Sequence, residues 1–307
     1  MQQDFPERTI VHVLERRLRD CPDKPWIAAE RPWSYREMDR LSSRLARGLL
    51  GSGVAPGDTL LVMLPNCVEL VATWVACAKA GIVEVPINTA YRGDILAHVV
   101  NDSSAKAMVV GGQYLDRVQA IAADLRSLQR CFVLGEQPST GGGLETMPFD
   151  TLLEASDDPM PSAPRESDLM AVMYTSGTTG NSKGVMVSHA HAHEYAVGCG
   201  EAIGLEAEDV YYTAGLPLFH VAGKWGVLNA AAIQGATAVV PPSFSAREFW
   251  NDVRRTGSTA TYLLGAMANF LQRQPPAPDD ADNPLRKILM CPLLPDLDAF
   301  TRRFDVG

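Results

Sequence analysis

Short apolar runs of strand length alternate with capped, amphipathic helical stretches through the first hundred residues. That alternation restricts the chain to a largely parallel sheet with helices on its faces. Ser34, with Glu37 three residues on, forms a capping box ahead of the apolar stripe Met38, Leu41, Leu45 and Leu49, and Gly51 and Gly53 supply a stop, so the spacing predicts a helix. Residues 59–64 follow as a short strand. Asn66 with Glu69 predicts a second capped helix that runs to Lys79 and ends at Gly81. Residues 82–87 and 105–110 read as further strands, with a helix over 94–101 between them.

Between residues 135 and 167 the texture changes to Gly, Pro, Ser and acids, as in PSTGGGLE and ASDDPMPSAPRES. Such a stretch predicts a subdomain boundary, with a first α/β subdomain over 1–165 and a partial second one over 166–307. The second half resumes with strands at 170–174 and 185–188, a helix from His189 onward, and more strands at 237–240 and 259–264. Its last residues look like a helix running into a turn or a strand, an ending in mid-architecture that predicts truncation.

A chain of 307 residues, 46% hydrophobic and 21% charged, can bury a sizeable core. The net charge of −9 would repel a phosphate backbone, and with no basic patch in the sequence nucleic acid is excluded as a partner. Six cysteines (Cys21, Cys67, Cys77, Cys131, Cys199, Cys291) form no CxxC pair, are read as buried thiols, and suit a reducing compartment. The two most apolar stretches, 68–86 and 221–242, are broken by Glu69, Lys79 and Glu84 and by Lys224 and Gln234, so no membrane span is expected. The first eight residues lack the basic and apolar blocks of a secretory signal, which leaves the cytoplasm as the expected compartment. A homodimer is left open.

The chemistry concentrates in YTSGTTGNSKG, residues 174–184, where hydroxyl side chains, glycines and one lysine lie between two strands. Glycines let backbone N–H groups approach an oxyanion, Thr and Ser hydroxyls add donors, and Lys183 adds a point charge, so the loop is suited to phosphates. A plain Gly/Ser/Thr-rich hairpin loop is the bland alternative. The loop is not a Walker P-loop: Ser182 stands at the second glycine, Gly184 at the metal-binding hydroxyl, and a β-branched strand follows where a helix should start. The glycine spacing also fails the kinase GxGxxG pattern.

This segment resembles the phosphate-binding signature of the adenylate-forming superfamily, which includes acyl-CoA synthetases, luciferases and peptide-synthetase adenylation domains. WSYREM (33–38), AKAGIVEVPIN (78–88) and LPLFHVAG (216–223) agree with it in the family's order, so the resemblance covers nearly the whole chain from about Thr9. One departure is Ser182, where many members carry proline. The fold implied is the N-terminal domain of an adenylate-forming enzyme, α/β, with two stacked, mostly parallel sheets and incomplete at its C-terminus.

The resemblance implies an ATP-dependent carboxylate–CoA ligase: a carboxylate attacks the α-phosphate of Mg-ATP, pyrophosphate leaves, and the acyl-adenylate passes to coenzyme A. Thr175, Ser176, Gly177, Thr178, Thr179, Gly180 and Lys183 would surround the phosphates, with Mg2+ arriving on the nucleotide. Donors there offset the repulsion between carboxylate and polyphosphate. Thr175 and His220 are the implied catalytic residues, and His220, Val221, Gly265 and Ala266 the implied substrate contacts. The 222–226 and 263–266 segments are equally compatible with plain core packing. TYLLGAM (261–267) and QPP (274–276) resemble carnitine- and crotonobetaine-CoA ligase relatives, which points to a small-molecule carboxylate. The family's adenine-contacting Tyr-Gly-x-Thr-Glu segment, ribose-binding aspartate, hinge and C-terminal lysine domain have no counterpart in these residues, so this chain alone is expected to be inactive.

His189, His191 and His193 lie in HAHAH, and the first and third share a helix face, but no HExxH glutamate or third ligand accompanies them, so no metal site is assigned. Three rivals stay open: a non-catalytic nucleotide-binding module, an interaction fragment blind to nucleotide, and a peptide-synthetase adenylation fragment.

Overall fold

The computed structural model describes residues 8–136, 143–158, 160, 163–175 and 182–306. Its strands in chain order are β1 (Pro25–Ala28), β2 (Pro32–Ser34), β3 (Thr59–Met63), β4 (Val83–Pro86), β5 (Ala107–Gly111), β6 (Arg130–Leu134) and β7 (Glu145–Pro148), then β8 (Leu169–Thr175), β9 (Lys183–Ser188), β10 (Val210–Tyr212), β11 (Thr237–Val239), β12 (Ala260–Leu264) and β13 (Lys287–Cys291). The α-helices are α1 (Ile10–Asp20), α2 (Tyr35–Gly51), α3 (Val68–Ala80), α4 (Gly93–Asp102) and α5 (Gly112–Gln119), then α6 (His189–Ala202), α7 (Ala230–Gln234), α8 (Phe249–Thr256), α9 (Gly265–Gln272) and α10 (Leu297–Phe304). The chain divides into one unit drawn from 1–15 and 36–192 and a second from 16–35 and 193–307.

The first unit holds a sheet of seven strands in the order β7-β6-β5-β3-β4-β8-β9, parallel except for the terminal β8/β9 pair. One core cluster joins Leu61 and Met63 of β3, Met108 and Val110 of β5, and Cys131 and Val133 of β6 with Leu96, Val99 and Val100 of α4. Each such side chain taken fully out of water stabilises the fold by about 1.5–3 kcal/mol before chain entropy is charged against it. Helix α3 is apolar all round and almost wholly buried, and it stops where Gly81, at φ 66°, turns the chain left-handed and returns its N–H to the Ala78 and Cys77 carbonyls. Its N-cap residue is Cys67, not the expected Asn66, and Cys67 makes no side-chain cap bond. Burial on every side holds this helix, so a polar cap is not needed to start it.

The second unit holds a sheet of six strands in the order β13-β12-β10-β11-β1-β2, with only the β1/β2 pair antiparallel. Trp26 of β1 is buried and donates from its indole nitrogen to the Leu228 carbonyl, 3.1 Å away. Trp26 also stacks on Tyr35, ring centroids 5.8 Å apart.

The expected boundary at 165/166 is therefore displaced. The Gly- and Pro-rich stretch is bridged within one sheet: β6 lies before it, β7 inside it pairs with β6, and β8 beyond it pairs with β4. Residues 25–34, expected in the first subdomain, join the second sheet instead, where β1 pairs with β11 and β2 with β1. Strand adjacency decides the partition, and local composition does not report it. The six cysteines are free, and the expectation that all are buried is corrected: Cys67, Cys77 and Cys131 are buried, Cys21 and Cys199 half-buried, and Cys291 exposed. Burial pushes the Cys131 thiol up to about 12, which makes it inert. No helix among the described residues is long and apolar enough to cross a membrane.

Two ionisable groups within the first unit generate tests. The Lys79 ammonium is buried and is held by the Asp39 carboxylate at 2.6 Å, the Asp39 carbonyl at 2.9 Å and the Ser43 hydroxyl at 2.9 Å. Burial pulls its pKa below the ordinary lysine value, against the opposing pull of Asp39. Asp39→Ala strands that ammonium and should cost about 3–5 kcal/mol, whereas Lys79→Met leaves only a partly hydrated carboxylate and should cost clearly less. Urea unfolding of both variants decides it, and equal losses would refute the asymmetry.

His189 is buried, and desolvation, seconded by His12 and opposed by Asp168, pulls its pKa down to about 4. Its unfolded pKa is near 6.5, so from about pH 6.5 down to about 4 the unfolded chain takes up a proton that the folded chain refuses. Stability is full above that window and should fall by on the order of 3 kcal/mol across it. His189→Gln should flatten the pH dependence of the urea midpoint within this window; an unchanged slope would contradict the account.

Candidate functional site

The phosphate-loop sequence lies between β8 and β9 in the first unit. Those strands pair antiparallel with Tyr174 opposite Gly184 and Thr175 opposite Lys183, so the described ends of the loop meet as cross-strand partners. Thr175 and Lys183 are both exposed. The Lys183 ammonium makes no hydrogen bond or ion pair with another described residue, which suits a cation kept for a ligand. Ser176, Gly177, Thr178, Thr179 and Gly180, expected to contact phosphate, lie outside the described residues.

Close packing fixes the neck of this hairpin. A Cβ on Gly184 would stand 2.6 Å from Val172 Cγ1 and 3.3 Å from Tyr174 Cζ, so the position accepts no side chain without a shift. The Tyr174 hydroxyl donates to Asp102 Oδ2 at 2.6 Å. Burial raises the Tyr174 pKa and the Asp102 carboxylate raises it further, so the phenol stays protonated as a donor. On the other strand, His98 Nε2 lies 2.8 Å from the Ser182 carbonyl oxygen and donates to it. Sequence reasoning missed His98 and Asp102; their only local signal is i, i+4 spacing, which places both on one face of α4.

At the start of α6, the Ser188 hydroxyl accepts from the His191 N–H at 3.2 Å, which is an N-cap bond. Among the described residues no three His, Cys, Asp or Glu side chains gather to hold a metal ion.

The remaining candidates lie in the second unit. β10, β12 and β13 are parallel neighbours, and the candidates follow the carboxyl ends of the first two, the edge of a parallel sheet where ligands collect. After β10, Ala214 and Gly215 are both left-handed, at φ 53° and 72°, and turn the chain into LPLFH. A Cβ on Gly215 would lie 2.1 Å from the Ser243 carbonyl carbon, so only glycine fits this close approach. His220 ends the segment exposed; its Nδ1 accepts from the Ala222 N–H at 3.4 Å, which leaves the proton on Nε2, and partial desolvation lowers its pKa. Val221, half-buried, leads into a π-helix over Ala222–Asn229 whose every residue is buried. After β12, Gly265 is buried with its Cα facing the Pro292 carbonyl, which a Cβ would approach to 2.6 Å, and Ala266 is exposed. The structure thus brings Thr175 and Lys183 together in one unit, and in the other it puts His220–Val221 and Gly265–Ala266 after adjacent strands.

The chain matches the AMP-binding enzyme family over residues 14–304. It belongs to that family. Among curated relatives, long-chain fatty acid transport protein 1 of Rattus norvegicus is 32% identical over 246 residues, covering 79% of this chain and 38% of the relative. A crotonobetaine/carnitine–CoA ligase of Salmonella choleraesuis is 31% identical over 281 residues, covering 90% of this chain and 54% of the relative. This member of the family therefore spans about half or less of the length of those relatives. Among solved structures, the inhibitor-bound N-terminal domain of FACL13 from Mycobacterium tuberculosis is 26% identical with a TM-score of 0.82, covering 97% of this chain and 74% of that one. The anthranilate CoA ligase AuaEII, in complex with anthranoyl-AMP, shares the fold at a TM-score of 0.87 and 22% identity, covering 97% of this chain and 58% of that one.

The crowding at Gly184 predicts that Gly184→Val costs about 1–3 kcal/mol by overpacking against Val172 and Tyr174. Urea unfolding measures it, and a variant as stable as the parent would show that the hairpin neck yields freely.

Proposed function

We propose that this chain is the nucleotide-binding N-terminal part of an ATP-dependent carboxylate–CoA ligase that works through an acyl-adenylate. The observation that carries the reading is the β8/β9 hairpin: Thr175 and Lys183 face each other across the neck of a Ser-, Thr- and Gly-rich loop, within a family match spanning nearly the whole chain. A cation with no partner among the described residues fits a triphosphate, whose charge it offsets.

In this mechanism a carboxylate oxygen bonds to the α-phosphorus of Mg-ATP, the bond to the bridging oxygen of the leaving group breaks, and pyrophosphate departs with that electron pair. Two anions must approach each other, and the pyrophosphate gains charge as it leaves. Lys183 and the Thr175 hydroxyl stabilise that developing charge, together with Ser176, Gly177, Thr178, Thr179 and Gly180 of the same signature. Mg2+ would be held by the nucleotide phosphates and would share with Lys183 and the Thr175 hydroxyl the neutralisation of their charge. The thiol of coenzyme A then attacks the acyl carbon and AMP leaves. His220, with Nδ1 occupied by the Ala222 N–H, offers Nε2–H as a donor, and with Val221, Gly265 and Ala266 it borders the acyl group. The long-chain fatty acid transport protein and crotonobetaine/carnitine–CoA ligase relatives support a small-molecule carboxylate as substrate. The free thiols support a reducing compartment such as the cytoplasm.

Titration calorimetry of the 307-residue chain with Mg-ATP tests the reading. Lys183→Ala should weaken binding at least about tenfold, the scale of one charge-assisted contact. Affinity equal in the parent and in the Thr175→Val, Lys183→Ala double variant would overturn it.

A further inference from the structure

We infer that His98 and Asp102 are positioning residues for Thr175 and Lys183, a clamp by which one face of α4 holds both strands of the hairpin neck in register. The inference rests on the nucleotide reading of that hairpin and adds to it two residues of an element outside the signature.

The geometry is specific. His98 and Asp102 are four residues apart on α4, so their side chains project from the same face one turn apart. Asp102 Oδ2 accepts a hydrogen bond from the Tyr174 hydroxyl at 2.6 Å, on the β8 side, one residue before Thr175. His98 donates to the Ser182 carbonyl at 2.8 Å, on the β9 side, one residue before Lys183. The two bonded positions flank a cross-strand pair, since Tyr174 lies opposite Gly184 and Thr175 opposite Lys183. Gly184 completes the arrangement: a Cβ there would meet Val172 Cγ1 at 2.6 Å, with Tyr174 Cζ at 3.3 Å and its hydroxyl oxygen at 3.5 Å beside it.

The energetics favour a role in register. β9 ends the sheet order, and Lys183, Gly184, Val185 and Met186 are all exposed, so the outer strand gains little from burial at its start. Strands with weak burial are prone to slip, and a one-residue slip turns every side chain to the other face. Here a slip would carry Lys183 to the opposite side of the hairpin. Helix α4 resists it from a fixed base, because Leu96, Val99 and Val100 on its other face are fully buried in the core of the sheet. The clamp thus transmits the rigidity of the core to an edge that carries the proposed phosphate contacts.

The test compares His98→Ala with His98→Gln, whose amide nitrogen can donate to the same carbonyl, and Asp102→Ala with Asp102→Asn, whose amide oxygen can still accept from Tyr174. Hydrogen exchange of the ligand-free chain at residues 182–184 should speed up about tenfold in each alanine variant and return towards the parent in Gln and Asn, as expected for a lost hydrogen bond at a local opening. Calorimetry should then show Mg-ATP binding about fivefold weaker in His98→Ala, with AMP, which lacks the β- and γ-phosphates, changed less than about twofold. Unchanged exchange in both alanine variants overturns the clamp, even where Lys183→Ala still weakens Mg-ATP and the nucleotide reading stands. Equal losses for Mg-ATP and AMP also overturn it, because they mark a general loss of structure. Should Lys183→Ala leave Mg-ATP binding untouched, the nucleotide reading fails, and the positioning role fails with it, whatever the exchange rates show.

Discussion

The pairing of Thr175 with Lys183 at the end of an antiparallel ladder is the constraint on which the first unit's candidate chemistry depends. The two residues that border the Ser-, Thr- and Gly-rich sequence are held at one strand spacing. The parallel sheet supplies one end, through β8 beside β4, and the edge strand β9 supplies the other. An antiparallel edge on a parallel sheet brings the two bordering residues together without a crossover helix.

Much of this framework was legible in the sequence because its signals are local. The helix over Tyr35–Gly51 follows from a capping box and an apolar stripe, and the stop of α3 at Gly81 from a residue that tolerates left-handed backbone. Asn66 misled because its spacing to Glu69 imitates a cap, while the helix in fact begins at Val68 under pressure from burial. The partition into units was hidden for a different reason. Pairing of Ile27 with Ala238 joins residues two hundred positions apart, and no window of sequence contains both. Composition pointed to 135–167 as a boundary, yet β7 and a 3-10 turn over Phe149–Glu154 continue the first unit through it. The candidate site divides in the same way. Thr175 and Lys183 were visible from a motif, whereas His98 and Asp102 enter through tertiary contact and lack any pattern that sets them apart from an ordinary exposed helix face.

Buried charge and buried glycine set different kinds of limit on this fold. Lys79 sits in the last turn of α3, where the helix dipole favours a cation, and its three oxygen partners on α2 turn an otherwise costly desolvation into a link between two helices. Removing either member changes stability but leaves the chain path intact. Gly215 is unlike this: its left-handed φ and its contact with the Ser243 backbone tolerate no substitute without moving main chain. Charge pairs here tune the free energy, and close backbone contacts determine where segments run.

That distinction bears on the second unit, where the unusual features concentrate on one stretch after β10. Ala214 holds a left-handed conformation that a side chain disfavours by about 1–2 kcal/mol. The Tyr211 hydroxyl, Thr213 Oγ1, Trp225 Nε1 and Asn229 Oδ1 are buried with no hydrogen-bond partner among the described residues, each at a cost of about 1–3 kcal/mol. The backbone between them widens into a π-helix, a geometry rare in ordinary cores and common where a chain must shape a site. These features lie together between residues 211 and 229, the stretch that carries His220, and each costs stability that the surrounding packing must offset.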